Sequence, residues 1–265
     1  MARVALTLGS GGARGYAHIG VIDEVLARGH EIVAVSGASM GALVGGLFGA
    51  GGLDEFSSWA KTLRQRDVLR LVDPSWSEPG AVAADKIMER CHQIVGDVAI
   101  ESLSIPVTIV ATDLLARREV WLQRGPLIPA IRASIAIPGV IAPARLDGRI
   151  LVDGGLLNPI PMEPTAAAPA DLHIAVSLAG PRELPVDRGV DAGQEDDDGP
   201  DLKLSDVTSL SMDAVQNLVA RYRTAGYPPD VMITVPFSAA RTIDFHRATE
   251  LIPLGRHLAA AALDA

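Results

Sequence analysis

Residues 31–50 read EIVAVSGASMGALVGGLFGA, and the change of character inside this stretch decides the fold. Glu31–Val35 is a β-branched run cut off at Gly37, and Met40–Ala50 is a helix built from small residues. Between them stands Gly37-Ala38-Ser39-Met40-Gly41, a glycine turn that leads strand directly into helix. The same grammar occurs upstream. Val4–Leu8 reads as a strand, Gly9-Ser10-Gly11-Gly12-Ala13-Arg14-Gly15 as a turn, and Tyr16–Ala27 as a helix closed by Gly29. Strand, glycine turn and helix in repetition predict a parallel α/β sheet. Right-handed crossovers then place both turns at one carboxyl edge, where open α/β sheets bind ligands.

The remaining chain extends this pattern. Residues 53–100 read as mostly helical, with a loop at Asp73–Gly80. Strand character resumes at Pro106–Thr112 and Glu119–Gln123, and Leu127–Ser134 reads as a helix. Further strands are expected at Ile150–Val152, Leu172–Leu178 and Val231–Val235. Arg182–Leu202 contains GQEDDDGPD and reads as a mobile acidic surface loop rather than a lid. The 265 residues fit a single domain, 1–265.

Composition narrows the function classes. Apolar residues make up 48% of the chain and aromatics 4%, with a net charge of −9. A nucleic-acid partner needs a basic surface and exposed stacking aromatics, and neither is offered. Lys61, Arg64, Arg66 and Arg70 form the one basic run, read as a single helix over 60–70 whose charges are solvated. Cys91 is the sole cysteine, which excludes an internal disulfide and a thiolate metal cluster. Its neighbour His92 points elsewhere on a helix, so a structural thiol is expected. The N-terminal MARVALTLGSGG lacks the features of a signal peptide, and no apolar run reaches the roughly 20 residues of a membrane span. A cytoplasmic location is expected, with at most transient peripheral membrane contact.

Three features carry chemistry. Gly37-Ala38-Ser39-Met40-Gly41 is G-x-S-x-G in its required strand–turn–helix setting, with Ser39 at a helix N-terminus. The rival reading is an ordinary N-cap serine. Gly9–Gly15 supplies successive backbone N–H groups suited to an anion. A nucleotide phosphate needs G-x-G-x-x-G or a Walker GK[ST], and the spacing fails both. An oxyanion hole fits better, with Gly11 and Gly12 donating and Arg14 pinning the loop. Asp153-Gly154-Gly155 taken alone is a plain turn. A serine nucleophile needs a base. His173 lies mid-strand, His246 at a helix start and His257 in a late Ala-rich helix, and His18 reads as structural. The chain therefore offers an acid and no convincing histidine.

Read together, GSGGARG with HIGV, then GASMG, then DGG resemble the patatin-like phospholipase family. DVLRLVDPSW, ATDL at 111–114, IRASIAIPGVIAP, LVDGGLLNPIP and PPDVMITVPFSAARTIDFHRA resemble its bacterial RssA-type branch. The resemblance implies a three-layer α/β/α sandwich with a mostly parallel central sheet. It implies Ser39 as nucleophile, Asp153 as general base, and Gly11 and Gly12 as the oxyanion hole supported by Arg14. The substrate class implied is a lipid acyl ester, phospholipid or lysophospholipid, with no metal, cofactor or nucleotide. Ser10 departs from the commonest all-glycine loop but still supplies a backbone N–H. Ser134 and Pro138 match a recurring stretch without a catalytic role. Burial beside Leu151 and Leu156 would raise the Asp153 pKa and make it a better base. The rival class is a regulatory or binding protein with slow or vestigial esterase activity.

Overall fold

The computed structural model describes residues 1–72, 81–181 and 204–265. The loops expected at Asp73–Gly80 and Arg182–Leu202 lie outside the described residues. Among the described residues, eight strands form one sheet. They are β1 (Arg3–Leu8), β2 (Glu31–Ala38), β3 (Val107–Asp113), β4 (Arg118–Leu122), β5 (Ala144–Leu146), β6 (Arg149–Asp153), β7 (Leu172–Ser177) and β8 (Val231–Thr234). The order is β5-β6-β3-β2-β1-β7-β8, with β4 also pairing β3. From β3 to β8 every pairing is parallel, and β4, β5 and β6 join antiparallel.

Alternation along the strands separates two faces. Val35 and Leu8 point toward α2 (Met40–Gly49), where a Cβ on Gly45 would stand 2.7 Å from Val35 Cγ1. This is the thick side, which also receives α1 (Ala17–Ala27), α3 (Leu53–Ala60), α6 (Leu127–Ser134) and α8 (Ala248–Leu263) in one continuous apolar core. Thr7 and Ser36 point to the other face. Ser36 donates to the Pro161 carbonyl at 2.6 Å, and the Thr7 hydroxyl lies 3.0 Å from that of Thr165. There Ile160, Met162 and Ala175 pack with Ala220 of α7 (Leu204–Gly226) in a second, smaller cluster. Helices cover both faces, giving an α/β/α sandwich.

Register on β3 positions the site. Its first half, Val107–Val110, pairs with β2, and Ala111–Asp113 pairs with β6 on the same edge. β4 occupies the opposite edge. Because β2 runs parallel and β6 antiparallel to β3, their last residues meet head to head. Ala38 stands opposite Val110 and Asp153 opposite Ala111. Residues more than a hundred positions apart in sequence are thereby brought together by strand pairing alone.

Two expectations need correction. Strand β2 does not stop before Gly37 but continues through it to Ala38. The basic run is not one helix. Helix α3 ends at Ala60, and α4 (Gln65–Val72) starts anew where the Asp67 carboxylate accepts the Arg64 N–H at 2.9 Å, half of a capping box. Elements β5 and α7 have no counterpart in the sequence reading. No helix among the described residues is long and apolar enough to cross a membrane.

Candidate active site

Ser39 occupies a backbone conformation that L residues rarely adopt, with φ 55° and ψ −123°. Such a conformation costs on the order of 1–3 kcal/mol and persists only where the surroundings enforce it. Here both glycines of the elbow are sterically required. A Cβ on Gly37 would strike the Gly41 backbone, and one on Gly41 would strike the Leu8 carbonyl. A clip holds the turn from the other side. The Ser39 N–H donates to Ser134 Oγ at 2.9 Å, and Ser134 Oγ donates to the Val110 carbonyl at 2.6 Å. Ser134, given no catalytic role in the sequence, thus ties the elbow to β3.

The Ser39 hydroxyl donates to Asp153 Oδ2 at 2.5 Å, and the Gly155 N–H donates to Oδ1 at 2.7 Å. Both side chains are buried. Burial pushes the Asp153 carboxyl up to about 6, against the lowering effect of these two hydrogen bonds. A carboxylate titrating there is poised as a base near neutral pH.

The glycine loop presents its backbone selectively. Gly9 N–H donates to Val176, Ser10 N–H to Pro159 and Ala13 N–H to Thr242. The amides of Gly11 and Gly12 find no acceptor among the described residues, and both residues line a cavity that Ser39 also reaches. Side chains are excluded at both. A Cβ on Gly11 would stand 2.5 Å from Leu178 Cβ, and one on Gly12, where φ is +58°, would strike the Thr242 carbonyl. Arg14 is buried, donates from Nη1 to the Ala240 carbonyl at 2.9 Å and stacks its guanidinium 4.4 Å over the Phe237 ring. It therefore fastens the loop to segment 237–242.

Two cavities meet at Ser39. The larger, about 630 Å³, carries the polar side chains of Ser10, Arg14, Asp153, Asp213 and Gln216 among apolar ones such as Ile160, Leu178 and Met212. The smaller, about 100 Å³, is walled by apolar side chains from α2, α3 and α5 (Ala81–Val95). Gly12 and Ser39 line both.

No histidine lines either cavity among the described residues. His18 is fully buried, its Nε2 2.8 Å from the Gly9 carbonyl, and burial pushes its pKa down to about 4. It is a neutral structural donor to the glycine loop. His173 pairs with Ala5 near the amino end of the sheet, away from the elbow. Cys91 is buried, with its thiol pushed up to about 12, while His92 faces out to Asp97. No cluster of three His, Cys, Asp or Glu side chains among the described residues is placed to hold a metal ion.

A serine elbow at the carboxyl edge of a parallel α/β sheet defines a class of architecture, and comparison with known proteins narrows it. The family model for patatin-like phospholipase matches residues 6–166. NTE family proteins of Mycobacterium tuberculosis and Mycobacterium bovis are 46% identical, over 99% of this chain and 92% of theirs. The neuropathy target esterase sws of Drosophila melanogaster is 31% identical across 60% of this chain and 12% of its own length. The chain belongs to the patatin-like phospholipase family. Its fold is shared with VipD from Legionella pneumophila, at a TM-score of 0.51 and 13% identity, covering 99% of this chain and 66% of that one.

Proposed function

We propose that this protein is a serine acyl hydrolase that cleaves carboxylic esters of lipids, phospholipid or lysophospholipid, without a cofactor. The observation that carries this reading is the 2.5 Å hydrogen bond from the Ser39 hydroxyl to a buried carboxylate with no histidine interposed. Asp153 takes the hydroxyl proton as Ser39 Oγ attacks the ester carbonyl. The carbonyl oxygen, now anionic, receives the amides of Gly11 and Gly12, which need no reorganisation to meet it. When the ester C–O bond breaks, Asp153 returns the proton to the departing alkoxide. Water then repeats the sequence: Asp153 takes its proton, hydroxide attacks the acyl-serine, and the proton passes back to Ser39 Oγ. Arg14 acts at a distance by fixing the loop. We place the enzyme in the cytoplasm with transient membrane contact, and exposed Val215, Leu218 and Tyr222 on the outer side of α7 support that contact.

The test is acyl release from p-nitrophenyl esters and a lysophospholipid by the wild type, Ser39→Ala and Asp153→Asn. Turnover by the wild type and its loss in both folded variants is expected. Absence of wild-type turnover, together with absence of fluorophosphonate labelling at Ser39, would favour a binding or regulatory protein instead.

A further inference from the structure

The two cavities that meet at Ser39 differ in one respect that assigns the two halves of an ester. Asp153 lines the larger cavity and not the smaller. In the reaction proposed above, the departing alkoxide must receive its proton from Asp153, and the hydrolytic water must later give one to it. Alcohol and water therefore occupy the cavity that contains the carboxylate. The carbonyl oxygen is claimed by Gly11 and Gly12. One substituent of the reacting carbon remains, the acyl chain, and the cavity that lacks the carboxylate is the apolar one.

The composition of that cavity suits a hydrocarbon and limits its length. The whole chain has only 4 Phe, 3 Trp and 3 Tyr, yet Tyr16, Phe56, Trp59 and Phe245 all line this small space. Tyr16 and Phe56 have ring centroids 6.4 Å apart, and Phe56 and Trp59 are 5.6 Å apart. Met40 follows Ser39 in the chain, and Ile135 follows the Ser134 clip, so these two line the reacting end. The ring contacts run from Tyr16, which directly follows the glycine loop, through Phe56 to Trp59 of α3, and this order points to Trp59, with Leu63 and Ile87, as the wall away from Ser39. Phe56 belongs to the fully buried core, whereas Trp59 is half-buried and is the bulkiest member of that wall.

We propose that the apolar cavity holds the acyl chain and that Trp59 is its end stop, the residue that sets acyl-chain length. This rests on the hydrolase reading, and the experiment separates the two. A single methylene in an apolar pocket discriminates by roughly 10–200-fold. The kcat/KM values for p-nitrophenyl esters from acetyl to palmitoyl, measured in the wild type, Trp59→Ala and Leu63→Trp, give the chain-length profile. Rates of Ser39 labelling by fluorophosphonates with short and long alkyl chains give an independent profile that does not depend on turnover. Trp59→Ala is expected to raise the long-to-short ratio at least about 10-fold, and Leu63→Trp to lower it by a similar factor. If Trp59→Ala fails to fold, Trp59→Leu retains an apolar wall and is expected to shift the ratio in the same direction. Profiles that superimpose on an active wild type would overturn the end stop and leave the hydrolase reading intact. A wild type that neither turns over nor labels would remove the hydrolase reading, and this inference with it.

Discussion

The turn after β1 and the turn after β2 leave adjacent parallel strands at the same edge of the sheet, yet they expose different chemistry. In the first, the flanking amides of Gly9, Ser10 and Ala13 are consumed by carbonyls, and the amides of Gly11 and Gly12 are left bare. In the second, the Ser39 amide is consumed by Ser134, and the side chain is what faces the cavity. Glycine serves both turns for different reasons. At Gly11 and Gly12 it permits conformations and close approaches that bring backbone donors to the cavity surface. At Gly37 and Gly41 it makes room for a neighbour's strain, so that Ser39 can hold a positive φ. One turn presents backbone and the other a side chain, and in the proposed reaction the two act on opposite atoms of one carbonyl group.

Mutations separate the contributions of the two turns. Ser39→Ala removes the proposed nucleophile and is expected to lower kcat/KM by about 10⁴-fold or more. Asp153→Asn should match that loss to within roughly tenfold, because the two act as one unit. It should also raise stability, since the burial that lifts the carboxyl from 3.8 to about 6 is relieved. At about 1.36 kcal/mol per unit, the gain near pH 7 is about 3 kcal/mol, read by denaturant melts. The first turn should be less sensitive. Gly12→Ala places a Cβ against the Thr242 carbonyl and displaces one donor, for a loss of about 10²–10³ in kcat. Full activity in Gly12→Ala would remove the glycine loop from the mechanism while sparing the elbow.

Smaller again is the effect of the clip. Ser134→Ala leaves the Ser39 amide and the Val110 carbonyl without their partner, and a buried unsatisfied group costs about 1–3 kcal/mol. Because Ser134 acts through Ser39, kcat should fall on the order of 10-fold with KM little changed. Ser134→Thr, which keeps a hydroxyl, should recover most of it. Activity should also rise with pH about a midpoint near 6, where Asp153 gains its charge. A midpoint near the ordinary carboxylate value would show that burial is not tuning the base.

Much of this was legible in the sequence, for a physical reason. The strand–glycine–helix pairs are local signals, and the strands at β1, β2, β3 and β7 fall within a few residues of their expected places. What strand pairing decides was not legible from spacing. Asp153-Gly154-Gly155 looks like any turn until β6 is paired antiparallel to β3, head to head with β2. Only the family resemblance pointed to it beforehand. The Ser134 clip was invisible for the same reason, since one hydroxyl bridging the elbow and β3 leaves no pattern in its own helix. Helix α7 was missed because its apolar residues face both the thin second core and the outside, which blurs the amphipathic period.

The finest test concerns His18 and Asp153, one serving each turn. Their pKa values are displaced in opposite senses by the same cause, burial. His18 titrates at about 4 in the folded protein against 6.5 ordinarily, so the unfolded chain binds the proton first as pH falls. Its contribution to stability is present above pH 6.5 and lost on acidification toward 4. Asp153 titrates at about 6 against 3.8, so the folded protein binds the proton first. Its contribution is present below 3.8 and lost as pH rises through 6. Each amounts to about 3 kcal/mol, and between pH 4 and 6 they oppose one another. These two groups together should therefore contribute almost no slope in the wild type. Asp153→Asn should unmask His18, giving a protein that loses stability faster than the wild type as pH falls from 6.5 to 4. His18→Gln, which retains a donor for the Gly9 carbonyl, should unmask Asp153 and reverse the sign of that difference. Urea melts of the three proteins across this range decide it. Slopes parallel in all three would mean that neither turn is dry enough to shift its titrating group, and the site would then be solvated where the reaction needs it closed.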